Sequence, residues 1–221
     1  MLTTIILDFD GTLGDSQSLI LKTIQQTIQT LRLPPQSDEA CSAVIGLPLK
    51  EMFTTLIPMS EEMAEQCAET YRRLFDINNI PGSVPAFPGV VETLTELHRR
   101  GLKLTIASSR GKDTLPLLAK EIGIDSMLSL ILSVNDVKNA KPHPEPVLLT
   151  LEKLGSKAEE TLVVGDAVYD MMMGQRANTK TCAVSYGNGT REELAATQPD
   201  WIIDHFSQLL DIVNQENGET A

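Results

Sequence analysis

At 221 residues, 42% hydrophobic and 22% charged, the chain is long enough for one substantial core plus a small second lobe, and too apolar for a disordered segment. Its formal net charge of −12 repels nucleic acid and anionic lipid, which argues against both as partners. Cys41, Cys67 and Cys182 are odd in number, widely spaced and form no CxxC pair, so they exclude a disulfide framework or thiolate zinc site and predict buried, reduced thiols.

The N-terminus enters a strand-like run at once, with no basic segment and long apolar stretch behind it. No apolar run approaches the roughly 20 residues of a membrane span, and the expected location is cytoplasmic. The first strand is Ile5-Ile6-Leu7. Further short apolar runs follow at Leu104–Ala107, Leu130–Leu132, Leu162–Val164, Thr181–Val184 and Trp201–Ile203. Runs apolar on both faces predict buried parallel strands, covered by helices on each side. Helical patterns separate them. Val90, Val91, Leu94 and Leu97 lead to a stop at Gly101, and Leu115, Leu118 and Ile122 lead to Gly123. Thr190 and Glu193 make a capping-box pattern for another short helix. The alternation predicts an α/β, doubly wound parallel-sheet core.

One stretch breaks the rhythm. Between Ser16 and Pro85 the patterns are helical: Ile20, Ile24, Ile28 and Leu31 form one stripe, and Met63, Cys67, Tyr71 and Leu74 form another behind a cap at Ser60. Pro81, Gly82, Pro85, Pro88 and Gly89 mark the return linker. The expected organisation is a core of residues 1–15 and 86–221, with residues 16–85 as an inserted, all-helical cap domain.

Ligands of an open parallel sheet bind beyond the carboxyl ends of its strands. The residues just past the apolar runs are Asp8, Ser108 and Asp166, and Lys141 follows the Leu130 strand in a loop stiffened by Pro142 and Pro144. In Asp8-Phe9-Asp10-Gly11-Thr12-Leu13 the two aspartates, two residues apart, point the same way. Like charges that close favour a cation between them, or a nucleophile paired with an acid. In Gly165-Asp166-Ala167-Val168-Tyr169-Asp170, a helix starting near Ala167 brings Asp170 round to face the same site. Carboxylates without clustered histidine or cysteine select a hard cation such as Mg²⁺.

The strings DFDGTLGDS, LTIASSRG, KPHPEP and VVGDAVYD stand in the order and strand context of the four motifs of the haloacid dehalogenase superfamily, and the chain resembles that family over nearly its whole length. In character it is most similar to the phosphoglycolate phosphatase-like branch, with a small helical cap. The resemblance implies a Rossmann-like core and a phosphatase acting on a small phosphorylated metabolite. Asp8 would be the nucleophile that forms an aspartyl phosphate, and Asp10 the acid, then the base. Ser108 and Lys141 would hold the phosphoryl oxygens with help from the Ser109 N–H. Asp8, the Asp10 carbonyl and Asp166 would bind Mg²⁺, supported by Asp170. Gly46-Leu47-Pro48 falls where the family places a substrate-facing loop, and Lys50 is a candidate for a second anionic group. The chain departs from the family pattern at Gly14, where a larger apolar residue is usual, at Ala167 for a serine or threonine, and at Asn178 for a glycine.

Inorganic pyrophosphate and a sugar phosphate are alternative substrates within the family. Asp10 excludes the dehalogenase and phosphonate-cleaving patterns, and the lack of histidine between residues 16 and 85 opposes a mutase. A receiver-type signalling domain shares the aspartate, hydroxyl and lysine, but lacks the acid at Asp10 and the helical insertion. His98, His143 and His205 read as surface positions, and Met171-Met172-Met173 as helix packing. Nothing in the sequence distinguishes monomer from homodimer.

Overall fold

The computed structural model describes residues 1–218; the last three residues of the expected core segment lie outside it. Six strands form one parallel sheet: β1 (Thr4–Leu7), β2 (Lys103–Ala107), β3 (Leu128–Leu132), β4 (Thr161–Gly165), β5 (Lys180–Val184) and β6 (Trp201–Ile203), in the spatial order β3-β2-β1-β4-β5-β6. Every apolar run picked out in the sequence is one of them. The expectation of burial on both faces holds for β1 and β4, whose residues are all buried. It fails for β3, where Ser129 is exposed and Leu130 and Ile131 are half-buried, and for β6, at the other edge of the sheet, where Trp201 and Ile202 are half-buried. β3 is an edge strand, with a neighbour on one side only.

The register brings the chemistry together. Leu7 is paired with Ile106 on one side and Val164 on the other, so the chain leaves β1, β2 and β4 at nearly one level. Asp8, Ser108 and Asp166 follow at that edge. The order of the strands reverses about β1, which makes this edge the natural crevice of the sheet.

Helices cover the sheet: α5 (Val90–Arg99), α6 (Leu115–Glu121), α7 (Glu145–Leu154), α8 (Val168–Arg176), α9 (Arg191–Ala196) and α10 (Leu209–Asn217). The stops and caps behave as their chemistry requires. Gly101 and Gly123 take positive φ, Asn178 occupies the left-handed region at φ 58°, and Thr190 accepts a hydrogen bond from the Glu193 N–H. Met171 and Met173 are buried packing residues, the three histidines are exposed, and the three cysteines are free and buried. No helix among the described residues is long and apolar enough to cross a membrane.

Between β1 and α5 lie four helices and no strand: α1 (Gln17–Thr30), α2 (Asp38–Ser42), α3 (Leu49–Leu56) and α4 (Glu61–Asn78). Ile20, Ile24 and Ile28 are buried along α1, and Ser60 caps α4 through the Met63 N–H. The stripe on α4 runs through Cys67 and Tyr71 to Phe75; Leu74, expected in that stripe, is only half-buried. Phe75 follows Tyr71 by four residues, so it lies directly along the same face, whereas Leu74 at three residues falls beside it. Tyr71 stacks on Phe75, with ring centroids 5.9 Å apart, and meets Phe53 edge-to-face at 6.1 Å.

The two connections to this helical segment lie side by side. The Asp15 N–H donates to the Pro85 carbonyl at 2.8 Å, and the Phe87 N–H to the Leu13 carbonyl at 3.0 Å, with Gly14 bridged to Ala86 between them. A Cβ on Gly14 would stand 2.9 Å from both Phe9 and Val84 side chains. The absence of the usual larger residue is therefore a matter of close packing. Gly14→Val is expected to destabilise the protein by about 1–3 kcal/mol, the usual cost of overpacking. Urea unfolding checks this; an unchanged midpoint would mean that the paired linker yields without strain.

Candidate active site

Asp8 leaves β1 at its carboxyl end and is held there by its own N–H bond to the Val164 carbonyl at 2.9 Å. Its side chain is buried, and Oδ1 accepts from Lys141 Nζ at 2.7 Å. The same ammonium donates to Asp170 Oδ1 at 2.6 Å. Asp170 sits on the first turn of α8, as its spacing from Asp166 predicts, and its Oδ2 accepts from the Ala167 N–H. One carboxylate thus anchors both the lysine and the start of a helix. Ala167 has no side-chain oxygen to cap α8, so Asp170 satisfies the helix end from inside.

Asp166 is buried under three hydrogen bonds. Thr12 Oγ1 donates to its Oδ1 at 3.1 Å, and Asn188 donates to its Oδ2 from the backbone at 2.7 Å and from Nδ2 at 2.9 Å. The backbone presses close here. Gly11, at φ 83°, has Asp166 Oδ2 only 2.1 Å from where a Cβ would be, so a side chain at that turn would displace the carboxylate.

Asp10 faces elsewhere. Its Oδ2 accepts from Arg110 Nε at 2.9 Å, and its Oδ1 from Arg110 Nη2 and from Ser16 Oγ, the latter at 2.6 Å. Ser16 precedes α1, where a serine normally caps the helix; here its hydroxyl goes to Asp10 and makes no side-chain cap bond. The Arg110 guanidinium lies 4.6 Å over the Phe75 ring of α4. Ser108 is buried and accepts from the Arg110 N–H at 3.2 Å. The Ser109 hydroxyl reaches across to the Gly46 carbonyl at 2.6 Å, tying the core loop to the helical segment.

A cleft of 720 Å³ opens over this edge, between the loop after β2 and the helical segment. Asp8, Asp10, Ser108, Ser109, Arg110 and Gly46 all contribute to its lining. Lys50 lines it too, but its ammonium is committed to Glu61 at 2.9 Å and Glu65 at 2.6 Å on the exposed side, contrary to the expectation of a waiting cation. Sequence reasoning overlooked Arg110, Thr12 and Asn188. The first two stand inside the quoted strings, and their positions one or two residues beyond a named group were the available signal. Asn188 joins the site through the loop after β5, directly after the Val184-Ser185-Tyr186-Gly187 turn and between Gly187 and Gly189, which were the available signal.

The charges decide what the site can hold. Four carboxylates, Asp8, Asp10, Asp166 and Asp170, meet two cations, Lys141 and Arg110, a surplus of two negative charges when every group is ionised. One oxygen from each of Asp8, Asp166 and Asp170 lies within 4.8 Å of the others. An all-oxygen set with that surplus suits a divalent cation; Asp10's carboxylate is turned away to Arg110, so only its backbone could contribute. Burial, reinforced by Asp170 and Asp166, pushes the Asp8 carboxyl well above the usual carboxylate range against the pull of Lys141. Burial and then Asp170 raise Asp166 to about 7. Burial opposes the Lys141 charge, but Asp170 and Asp8 outweigh it and raise its pKa.

These shifts set a stability test. Without a cation the folded chain holds a proton on Asp166 up to about pH 7, whereas an unfolded aspartate releases it near 3.8. Stability from that proton is complete below the lower value and is lost as pH rises through the upper one. A bound cation takes the proton's place. Added Mg²⁺ is therefore expected to raise the melting temperature more at about pH 8 than at about pH 5, as read by calorimetry on chelator-treated protein. Equal shifts at both pH values would contradict a metal seated among these carboxylates.

Comparison with known proteins agrees with this geometry. The family model for haloacid dehalogenase-like hydrolases matches residues 5–184. The chain is 34% identical over 212 residues to the pyrophosphatase PpaX of Anoxybacillus flavithermus, covering 96% of this chain and 97% of that one. The crystal structure of a hydrolase from Pseudomonas syringae superposes with a TM-score of 0.87 at 27% identity, over 96% of this chain and 98% of that one. A "predicted phosphoglycolate phosphatase" from Haemophilus somnus gives the same score at 24% identity, covers the same shares, and speaks for the fold alone. With the motifs, the sheet order and a full-length likeness in accord, the chain belongs to the haloacid dehalogenase-like hydrolase family.

Proposed function

We propose that this protein is a Mg²⁺-dependent phosphatase that works through an aspartyl phosphate on Asp8, and that inorganic pyrophosphate is its foremost substrate. The observation that carries the reading is the position of Lys141 Nζ, 2.7 Å from Asp8 and 2.6 Å from Asp170, within a cluster of three buried carboxylates beneath the cleft. A nucleophilic oxygen, a fixed cation to meet the phosphoryl group and a metal-holding acid set then share one edge. Pyrophosphate stands ahead of phosphoglycolate because the support for it comes from a relative alike in sequence over nearly the whole chain, while the support for phosphoglycolate comes from fold.

Asp8 attacks phosphorus, forming an acyl phosphate as the bond to the leaving oxygen breaks, and Asp10 gives that oxygen a proton. Asp10 then accepts a proton from the water that attacks phosphorus, which releases phosphate and restores Asp8. Lys141 and Ser108 hold the phosphoryl oxygens throughout. Mg²⁺, held by Asp8 and Asp166 with Asp170 in support, would supply neutralisation of the phosphoryl charge. The helical segment from Ser16 to Pro85 serves as the cap in this reading: it covers the cleft and restricts it to small substrates.

Asp8→Asn is expected to abolish phosphate release while the protein stays folded, because an amide cannot form the acyl phosphate. Asp10→Asn is expected to lose about 10²–10⁴-fold in kcat, the range of a general acid–base group. Substantial turnover by purified Asp8→Asn protein would overturn the mechanism. Chelation is expected to stop phosphate release and Mg²⁺ to restore it. Across pyrophosphate, phosphoglycolate and small sugar phosphates, pyrophosphate should show the highest kcat/KM; a higher value for phosphoglycolate would transfer the assignment to it.

A further inference from the structure

We propose that Arg110 reads a second anionic group on the leaving side of the substrate, taking it up in exchange for Asp10, and so makes the site selective for small molecules with two anionic groups. The inference rests on the reading of Asp10 as the acid and base at the leaving oxygen. If Asp10 meets that oxygen, the guanidinium bonded to Asp10 lies where the remainder of the leaving group must go.

Arg110 is the buried cation of the cleft lining. The other two, Lys50 and Arg72, are largely exposed and face Glu65, and Lys50 also faces Glu61. Glu51, Asp76 and Asp113 line the same cleft and repel an anion. The guanidinium carries five N–H groups, and the pair with Asp10 uses those on Nε and Nη2. The guanidinium lies over Phe75, 4.6 Å from the ring centroid.

The exchange follows from geometry. Asp10 Oδ1 already accepts two bonds, from Ser16 and Arg110, and Oδ2 accepts one from Arg110 Nε. In this arrangement the carboxylate is turned toward Arg110. An incoming anion replaces Asp10 on the guanidinium, so the buried cation never stands unpaired, while Ser16 keeps Oδ1 and leaves Oδ2 to face the leaving oxygen. A neutral group offers no such replacement. It would separate the pair and leave the buried guanidinium without an anionic partner, a costly step. Selectivity then has an attractive part and a penalty against the wrong substrate.

The test compares phosphoglycolate with 2-hydroxyethyl phosphate, which has nearly the same shape and the same kind of leaving oxygen but no carboxylate. In Arg110→Met the ratio of their kcat/KM values is expected to fall by about 10–100-fold, as expected for one charge-assisted contact. Arg110→Lys, which keeps the charge without the two-pronged grip, is expected to fall less. Should Arg110→Met fail to fold, as judged by its unfolding transition, the lysine variant carries the comparison and a several-fold drop is expected. Equal losses on both esters would overturn the inference and leave Arg110 as a support for Asp10. Calorimetric binding of the same two esters, in an Asp8→Asn background with and without the Arg110 substitution, reads the ratio without turnover. Absence of turnover in the unsubstituted protein would thus count against the phosphatase reading, while the binding ratio still decides for or against Arg110.

Discussion

Burying like charges is among the least favourable acts a folding chain performs, and this one gathers four carboxylates at a single sheet edge. Two compensations make it tolerable. Lys141 bridges Asp8 and Asp170, and Arg110 clamps Asp10, so each cation serves the carboxylates nearest it. Among the described residues no cation pairs with Asp166, which relies on three hydrogen bonds, from Thr12 and Asn188. Burial, and after it the neighbouring carboxylates, raise the pKa of Asp8 and Asp166. Much of the surrounding structure can be understood as the scaffold that holds this arrangement: a register that ends three strands together, a glycine turn that lets the backbone approach Asp166, and a helix that starts on Asp170.

The helical segment takes part in the same arrangement. Ser16, at the start of α1, gives its hydroxyl to Asp10, and Phe75 of α4 supports the guanidinium on the other side of that carboxylate. Behind Phe75 the aromatic contacts run back through Tyr71 to Phe53. The environment of Asp10 is therefore shared between the sheet and the helices. The Ser109–Gly46 bond adds a polar tie between the two loops that meet over the cleft.

Much of this was legible in the residues themselves. Short apolar runs bounded by turn residues identified all six strands, because a buried parallel strand leaves little choice of composition. Three of the runs, those that lead to Asp8, Ser108 and Asp166, pointed to the candidate site. What stayed hidden depended on partners distant in sequence. Nothing local shows that β3 lies at the edge of the sheet, since its apolar residues match those of a central strand. Leu74 and Phe75 are adjacent and both apolar, and only packing against α1 and α3 chooses between them. Lys50 read as a free cation because its partners Glu61 and Glu65 belong to the next helix. Arg110 was in plain view, but its value lies in reaching a carboxylate a hundred residues earlier.

The paired linker at Gly14 and Ala86 has a consequence for how such a chain can change. Both ends of the helical segment leave the sheet at one point, bonded to each other before they part. A segment joined through adjacent ends can be lengthened, shortened or exchanged for another without altering the distance the chain must span, since neighbouring termini are what make an insertion tolerable. The strand ends that bear Asp8, Ser108 and Asp166 would keep their register through such a replacement. Ser16 and Phe75 set the limit, because any substitute segment must still present a hydroxyl to Asp10 and a flat surface to Arg110. The fold thus separates a part that is free to diversify from a part that is not, and the line between them passes through the surroundings of a single carboxylate.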